Sequence, residues 1–363
     1  MIRSKVIQYF SSMQPELFPG FVEEVSPTTD KHLKVIIALD VIDIEKHLPY
    51  ESLFGVGRPR KDRLSLAHAF IAKSVLNLTT TVALIDRLKV DKVLRRICGF
   101  EGKLPCEATF SNAFREYAEF ELAQKAHDSL VKEIYSERLI GHICRDSTAI
   151  NAREQPEKKP KKEKKKKKRG RPKKGEELAP KELTRIEKQR GQNLEDILSE
   201  LPTKCDVGGK KNSKGNVEWW VGYKLHLDVD DHGIPISAIL TSASVHDSGV
   251  AIPLEKITSG RVHSLYSLMD SGYVSQEIED EIKEAGKVPI IYPKKPRGGE
   301  LVPLEPPSAE RYKIRTTVER TNSTIKDDFG GRHFRVKGYT KVFAHLMFGI
   351  LGMSALRIVE TFT

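Results

Sequence analysis

The spacing of apolar residues changes once along this chain, near Tyr135, and that change limits the folds open to it. From Asp62 to Tyr135, apolar residues recur at three- and four-residue steps in LSLAHAFIAKSVLNL, TVALIDRLKVDKVLRRICGF and EATFSNAFREYAEFELAQKAHDSLVKEIY. That is the period of helices with one buried face, and Gly99, Gly102 and Pro105 supply breaks between them. Beyond Tyr135 the period shortens. LIGHICRDSTAINA, residues 139–152, reads as a strand ending in polar residues. EWWVGYKLHLDVD and GIPISAILTSAS read as two strands joined by an Asp-His-Gly turn. A short helix around Val250 to Ile257, a strand VHSLYSLMD ending at Asp270, a helix from Ser275 to Ala285 and a strand VPIIYP follow. The prediction is an all-α N-terminal domain over residues 1–136 and a mixed α/β domain over residues 137–363, its helices covering a sheet.

One stretch fits neither pattern. EKKPKKEKKKKKRGRPKKGEE, residues 157–177, holds no Ala, Val, Ile, Leu, Met or aromatic residue, so it cannot bury enough surface to offset the entropy of ordering. Behind it KELTRIEKQRGQNLEDILSELP reads as a helix, which makes residues 154–203 a basic, partly disordered insertion between the first and second strands. The chain as a whole carries a net charge of +11, with a pI near 9.3. Such an excess of Lys and Arg favours polyanions, nucleic acid first, because neutralising phosphates releases their counterions.

Other classes are disfavoured. The most apolar segment, Val342 to Val359, is interrupted by His345 and Arg357 and is expected to be a buried C-terminal helix rather than a membrane span. The N-terminus has no apolar run long enough for a secretory signal, so a cytoplasmic, nucleoid-associated protein is expected. Cys98, Cys106, Cys144 and Cys205 are scattered, with neither a CxxC pair nor a His at finger spacing, which points to free thiols.

The chemistry is carried by acids. Asp146 follows the apolar part of the first strand, Asp270 ends the strand SLYSLMD, and Glu319 lies in RYKIRTTVERTNSTIKDDFGG. In that last segment Arg315 stands four before Glu319, Tyr312 seven before and Lys326 seven after, so one α-helix would carry all four on one stripe. If the two strands are neighbours, their ends bring two carboxylates together, and a helix across the sheet supplies the third. Three converging carboxylates repel one another unless a cation sits between them, and hard oxygen donors select Mg²⁺ or Mn²⁺.

Asp146, Asp270 and Glu319, with the spacing Tyr312-x2-Arg315-x3-Glu319-x6-Lys326, resemble the catalytic triad and Y-R-E-K signature of the DDE transposases of bacterial insertion sequences. MDSGY, residues 269–273, is similar to that family's second-aspartate motif, and VHDS, residues 245–248, to the segment preceding it. The resemblance implies a ribonuclease H-like catalytic fold in which Asp146, Asp270 and Glu319 hold two divalent ions. It implies cleavage at transposon ends and transfer of the freed 3′-hydroxyl into target DNA. Tyr312, Arg315 and Lys326 would hold the DNA backbone, and the joining of two ends would make the working form a homodimer. The interval from Asp270 to Glu319 is too short for the extra β domain that some relatives carry there.

Further candidates keep two readings. LPCEATFSNAFREYAEF is either a helix-turn-helix junction with Thr109 or Ser111 as cap and Arg115 facing DNA, or an αα-hairpin of the core. The loop GVGRPRKDR, residues 55–63, either touches phosphates or is merely solvated. Arg169-Gly170-Arg171-Pro172 either places Arg169 and Arg171 in a narrow A·T minor groove or belongs to a nonspecific polycation. His226, Asp228, His246 and Asp247 are strand-end polar residues or contacts to a metal-bound water or DNA. Trp219 and Trp220 serve the core or sheet edge, or wedge against a displaced base.

Overall fold

Residues 28–48, 61–156, 183–211, 215–296 and 298–362 are described by the computed structural model. Up to Tyr135 every regular element among them is helical. These are α1 (Asp30–Ile42), α2 (Arg63–Val75), α3 (Thr81–Val90), α4 (Lys92–Ile97), α5 (Glu107–Glu119) and α6 (Leu122–Tyr135), with one 3-10 turn at Ile44–His47. Thr29, Asp62, Thr80 and Asp91 cap α1 to α4, each side chain accepting from first-turn backbone N–H groups that have no partner inside the helix. The predicted caps of α5, Thr109 and Ser111, lie within it instead. Cys106, extended behind Pro105, is its N-cap, and the Thr109 hydroxyl is 3.4 Å from the Cys106 thiol.

The second part builds on one mixed sheet: β1 (Leu139–Asn151), β2 (Asp206–Lys211), β3 (Val217–Val229), β4 (Pro235–Ser242), β5 (His263–Met269) and β6 (Val288–Ile291). The order is β2-β3-β1-β5-β6, with β4 paired to β3. β1 runs antiparallel to β3 and parallel to β5, and β5 parallel to β6. The predicted hairpin is present as β3 and β4, and Gly233 in its turn takes φ +84, a conformation that favours glycine.

Helices cover both faces. On one lie α7 (Arg185–Arg190), α8 (Leu194–Glu200), α9 (Ser248–Ser259) and α10 (Gln276–Glu284), around Ile197, Ala251, Ile252, Met269, Tyr273, Ile278 and Ile282. On the other lies α12 (Thr316–Asp328), preceded by α11 (Pro306–Tyr312) and the 3-10 turn Lys313–Arg315. The last helix, α13 (Tyr339–Phe362), packs against α1, α2, α5 and α6. Its Phe348 meets Phe70, Phe114 and Tyr117 of those helices, with ring centroids 6.0–6.4 Å apart. A single apolar core therefore runs from α1 through α13 to β1 and β3. Among the described residues α13 is the one helix long and apolar enough to cross a membrane, and 78% of its apolar window is buried in the protein.

Three predictions on local structure need correction. The segment around Tyr312 to Lys326 is not one α-helix: the 3-10 turn separates Tyr312, at the end of α11, from Glu319 and Lys326 on α12. The single helix expected ahead of residue 203 is two, α7 and α8, because α7 ends at Gly191 and Asn193 caps α8 anew. β2 was not foreseen. Its sequence DVGGKK has one apolar residue and low strand propensity. Pairing with β3 makes it a strand, and the rings of Trp219 and Trp220 lie close over Gly209 and Gly208, where a β-carbon would collide with them.

Candidate active site

The strand register places the first two acids together. Cys144 pairs with Leu268 across the parallel β1–β5 ladder, so two residues further on Asp146 and Asp270 stand side by side. Asp146 lies inside β1 rather than at its end, while Asp270 is the first residue beyond β5, its Oδ1 accepting from the Gly272 N–H at 2.9 Å. Across that face lies α12. It is keyed to the β3–β4 turn by Thr321, whose hydroxyl donates to the Gly233 carbonyl at 3.1 Å, and Arg357 of α13 donates to the same carbonyl. Val318 and Ile325 bury its apolar side, which leaves Glu319 facing outward at the strand ends.

Arg315 joins the three acids. One guanidinium nitrogen, Nη2, is 3.1 Å from Asp146 Oδ1 and 3.8 Å from Asp270 Oδ2, and the other, Nη1, is 2.7 Å from Glu319 Oε1. The 3-10 turn makes this possible by ending α11 where Arg315 must reach back over β1. Exposure rises across the cluster from 12% at Arg315 and 16% at Asp146 to 40% at Asp270 and 56% at Glu319, so it opens to solvent on the acidic side. Burial pushes the Asp146 carboxyl up to about 6, with Arg315 pulling the other way and Asp270 adding to the rise. The Arg315 guanidinium is raised, its carboxylate neighbours outweighing the cost of burial.

The other members of the predicted stripe border this cluster. Tyr312 is half-buried, its ring 5.4 Å from that of Tyr292, and burial pushes its phenol up to about 12. Lys326 is half-buried, and its amine is lowered by burial and then by its neighbours Arg332 and Lys210. Cations from α12, from the loop behind it and from β2 therefore gather beside the acids. Lys210 was invisible in sequence because its strand was. A second missed residue is Asn322, buried on α12, whose Nδ2 donates to Asp146 Oδ2 at 3.1 Å.

The remaining candidates lie elsewhere. Arg115 is exposed on α5. Arg169, Arg171 and residues 55–60 of the basic loop fall outside the described residues, whereas Arg63 of that loop is paired with Glu116. His226 is buried against Thr241 Oγ1 at 3.0 Å, and Asp228 is buried in an ion pair with Arg145, on the opposite face of the sheet from Asp146. Asp247 accepts from Ser147 and Lys224, and exposed His246 contacts Ser248. Trp220 donates to the Tyr223 carbonyl, while Trp219 is 72% exposed at the sheet edge.

Among the described residues no group of three His, Cys, Asp or Glu side chains stands as a ready metal centre, and Arg315 lies between the three acids. The donor set nevertheless suits a hard divalent cation. Three carboxylates already converge on one positive group, and all their donor atoms are oxygens.

Two known families match parts of the chain. Residues 184–353 match the family described as Transposase DDE domain, and residues 25–116 match the family described as Transposase domain (DUF772). Asp270, Tyr312, Arg315, Glu319 and Lys326 fall within the first match, and Asp146 lies before it begins. No curated protein and no solved structure matches the chain. With two transposase matches covering most of its length, this chain belongs to the DDE transposases of insertion sequences, proteins that act on DNA.

Proposed function

We propose that this transposase cuts DNA at transposon ends and joins the freed 3′-hydroxyl to target DNA, with Asp146, Asp270 and Glu319 as its catalytic acids. In this reading residues 137–363 form a ribonuclease H-like catalytic domain. Residues 1–136 form a helical end-binding domain, and the basic insertion 154–203 adds salt-sensitive affinity. The observation that carries the reading is the convergence of the three carboxylates on one cationic position, 2.7–3.8 Å from the Arg315 nitrogens.

Asp146, Asp270 and Glu319 would hold two Mg²⁺ or Mn²⁺ ions, which supply Lewis-acid stabilisation to phosphodiester attack. The protein's own residues do the rest. Arg315 and Lys326 bind phosphate oxygens on either side of the scissile bond, Arg315 through its two-pronged guanidinium. Tyr312 donates its phenolic hydrogen to a neighbouring phosphate and, with a pKa near 12, stays protonated to do so. The buried wall formed by β1 and α12 holds Asp146 in place while the exposed side admits the duplex. In cleavage, water attacks phosphorus and the 3′-oxygen leaves. In joining, that 3′-hydroxyl attacks a target phosphodiester and displaces its 3′-oxygen. Two ends are joined at once, which calls for a homodimer.

The test is cleavage and joining of labelled DNA carrying the element's ends, with Mg²⁺ or Mn²⁺, in the wild type and in Glu319→Gln. Loss of a first ligand should exceed the ten- to a hundredfold typical of outer-shell partners, so a drop of at least about a hundredfold is expected, with DNA binding retained. Cutting without joining would make the protein a nuclease. Equal DNA binding with no chemistry in either protein would make it a DNA-binding regulator.

Arg315 supports a separate expectation. Because it occupies the position on which the three carboxylates converge, a metal cation must displace it, and DNA phosphate offers it an alternative partner. Arg315→Gln is therefore expected to bind Mn²⁺ several-fold more tightly than the wild type without DNA, while binding DNA more weakly. Calorimetric titration checks both, and unchanged Mn²⁺ affinity would refute the competition.

A further inference from the structure

We propose that Asn322 is a positioning residue of this site, fixing Asp146 for metal binding once Arg315 has turned to DNA. The inference rests on the reading of Asp146 as a metal ligand. Asn322 lies on α12 three residues after Glu319 and four before Lys326, so it shares their stripe but points inward, only 5% exposed. Its Nδ2 donates to Asp146 Oδ2 at 3.1 Å, and Arg315 holds the other oxygen, Oδ1, also at 3.1 Å. These two bonds divide the carboxylate between a cation shared with Asp270 and Glu319 and an amide that serves Asp146. Arg315 sits on the 3-10 turn and, in this reading, has phosphate as an alternative partner. Asn322 is buried, in a helix pinned to the β3–β4 turn by the adjacent Thr321.

The amide also explains why this position is neither acidic nor apolar. A carboxylate only accepts hydrogen bonds, so the NH₂ group of Asn322 must face Asp146. That leaves Asn322 Oδ1 buried and without a partner among the described residues. Arg315 Nε, beside the same carboxylate, is likewise without one. An orphan acceptor and an orphan donor flanking one acid are costly in a folded interior and mark a site arranged for something other than its own stability. A leucine here would leave Asp146 unanchored. An aspartate would add a fourth negative charge about one hydrogen-bond length from Asp146, tolerable only with a cation bound.

That contrast gives the test. Thermal unfolding of the full chain is followed with and without Mn²⁺, together with Mn²⁺ titration and DNA binding, for the wild type, Asn322→Ala and Asn322→Asp. Asn322→Ala is expected to bind Mn²⁺ about tenfold more weakly, as for other groups that orient a ligand, with DNA affinity unchanged. Asn322→Asp is expected to have a lower Tm than the wild type without metal and a larger rise in Tm on adding Mn²⁺. A purely structural residue would lower Tm in both variants without changing the Mn²⁺ response. Wild-type Mn²⁺ affinity in Asn322→Ala, or no extra rescue in Asn322→Asp, would overturn the inference. If Asn322→Ala fails to fold, Asn322→Asp still decides it. A wild-type protein that binds no Mn²⁺ with or without DNA would overturn the metal reading itself, and this inference with it.

Discussion

Replacing Arg145 by leucine is expected to destabilise the fold by about 3–5 kcal/mol, the usual cost of removing one partner from a buried ion pair. Arg145 neighbours Asp146 on β1 but points to the opposite face, and it is 1% exposed. Its Nε and Nη2 meet the two Asp228 oxygens at 2.7 Å, Nη2 also meets Glu255 at 2.9 Å, and Nη1 donates to the Ala251 carbonyl. Lys287 closes the group with a 2.7 Å bond to the other Glu255 oxygen. Burial works to raise the Glu255 carboxyl, but Arg145 and Lys287 outweigh it and hold it below the ordinary range. Two cations and two anions balance, so leucine would strand net negative charge in the interior. Urea unfolding measures the loss, and Arg145→Leu combined with Asp228→Leu should recover part of it. A loss under about 1 kcal/mol in the single variant would show that the group is not tightly coupled.

The second large effect is acid sensitivity. His127, His226 and His345 are buried, and burial lowers each to about 3. His68 is also lowered, by the same cause first. In the unfolded chain these groups take up protons below about pH 6.5. Between there and about 3 the folded state does not, so stability is full above pH 6.5 and falls as pH drops. Asp146 and Asp230, both raised by burial, act in the opposite sense. Each of the three histidines lowered to about 3 takes up close to one proton on unfolding in that window, up to about 1.4 kcal/mol per pH unit apiece. Tm should therefore fall steeply across that range. His345→Gln should flatten the slope by about one proton even if it lowers Tm at neutral pH, and an unaltered slope would refute the assignment.

How much of this was legible depended on where each residue's partners lie in sequence. β3 and β4 announce themselves through a turn and apolar runs, and the helices before Tyr135 through their period. Glu319 was singled out because Tyr312, Arg315 and Lys326 lie close to it in the chain, although the 3-10 turn between them left no mark on the spacing. β2 was not legible, because a Gly-Gly-Lys-Lys segment has little strand propensity of its own and becomes a strand through pairing with β3. The Arg145 group was read only in part. Asp228 looked like a strand-end acid, while the rest of its group comes from β1, α9 and the residue ahead of β6, and burial makes four exposed-looking charges into one unit. Asn322 had no signal of its own.

The place of α13 bears on how the protein is made. Its residues close the core of α1, α2, α5 and α6, yet it leaves the ribosome long after them, with the whole sheet synthesised in between. Until then Phe70, Phe114 and Tyr117 lack their partner Phe348. A nascent chain still missing α13 thus exposes apolar helices and offers a surface for chaperones. The helices acquire their final packing only after the acids, the Arg315 clamp and α12 have all been translated, so a chain cut short before Tyr339 should be cleared by proteases rather than persist as a partial DNA binder.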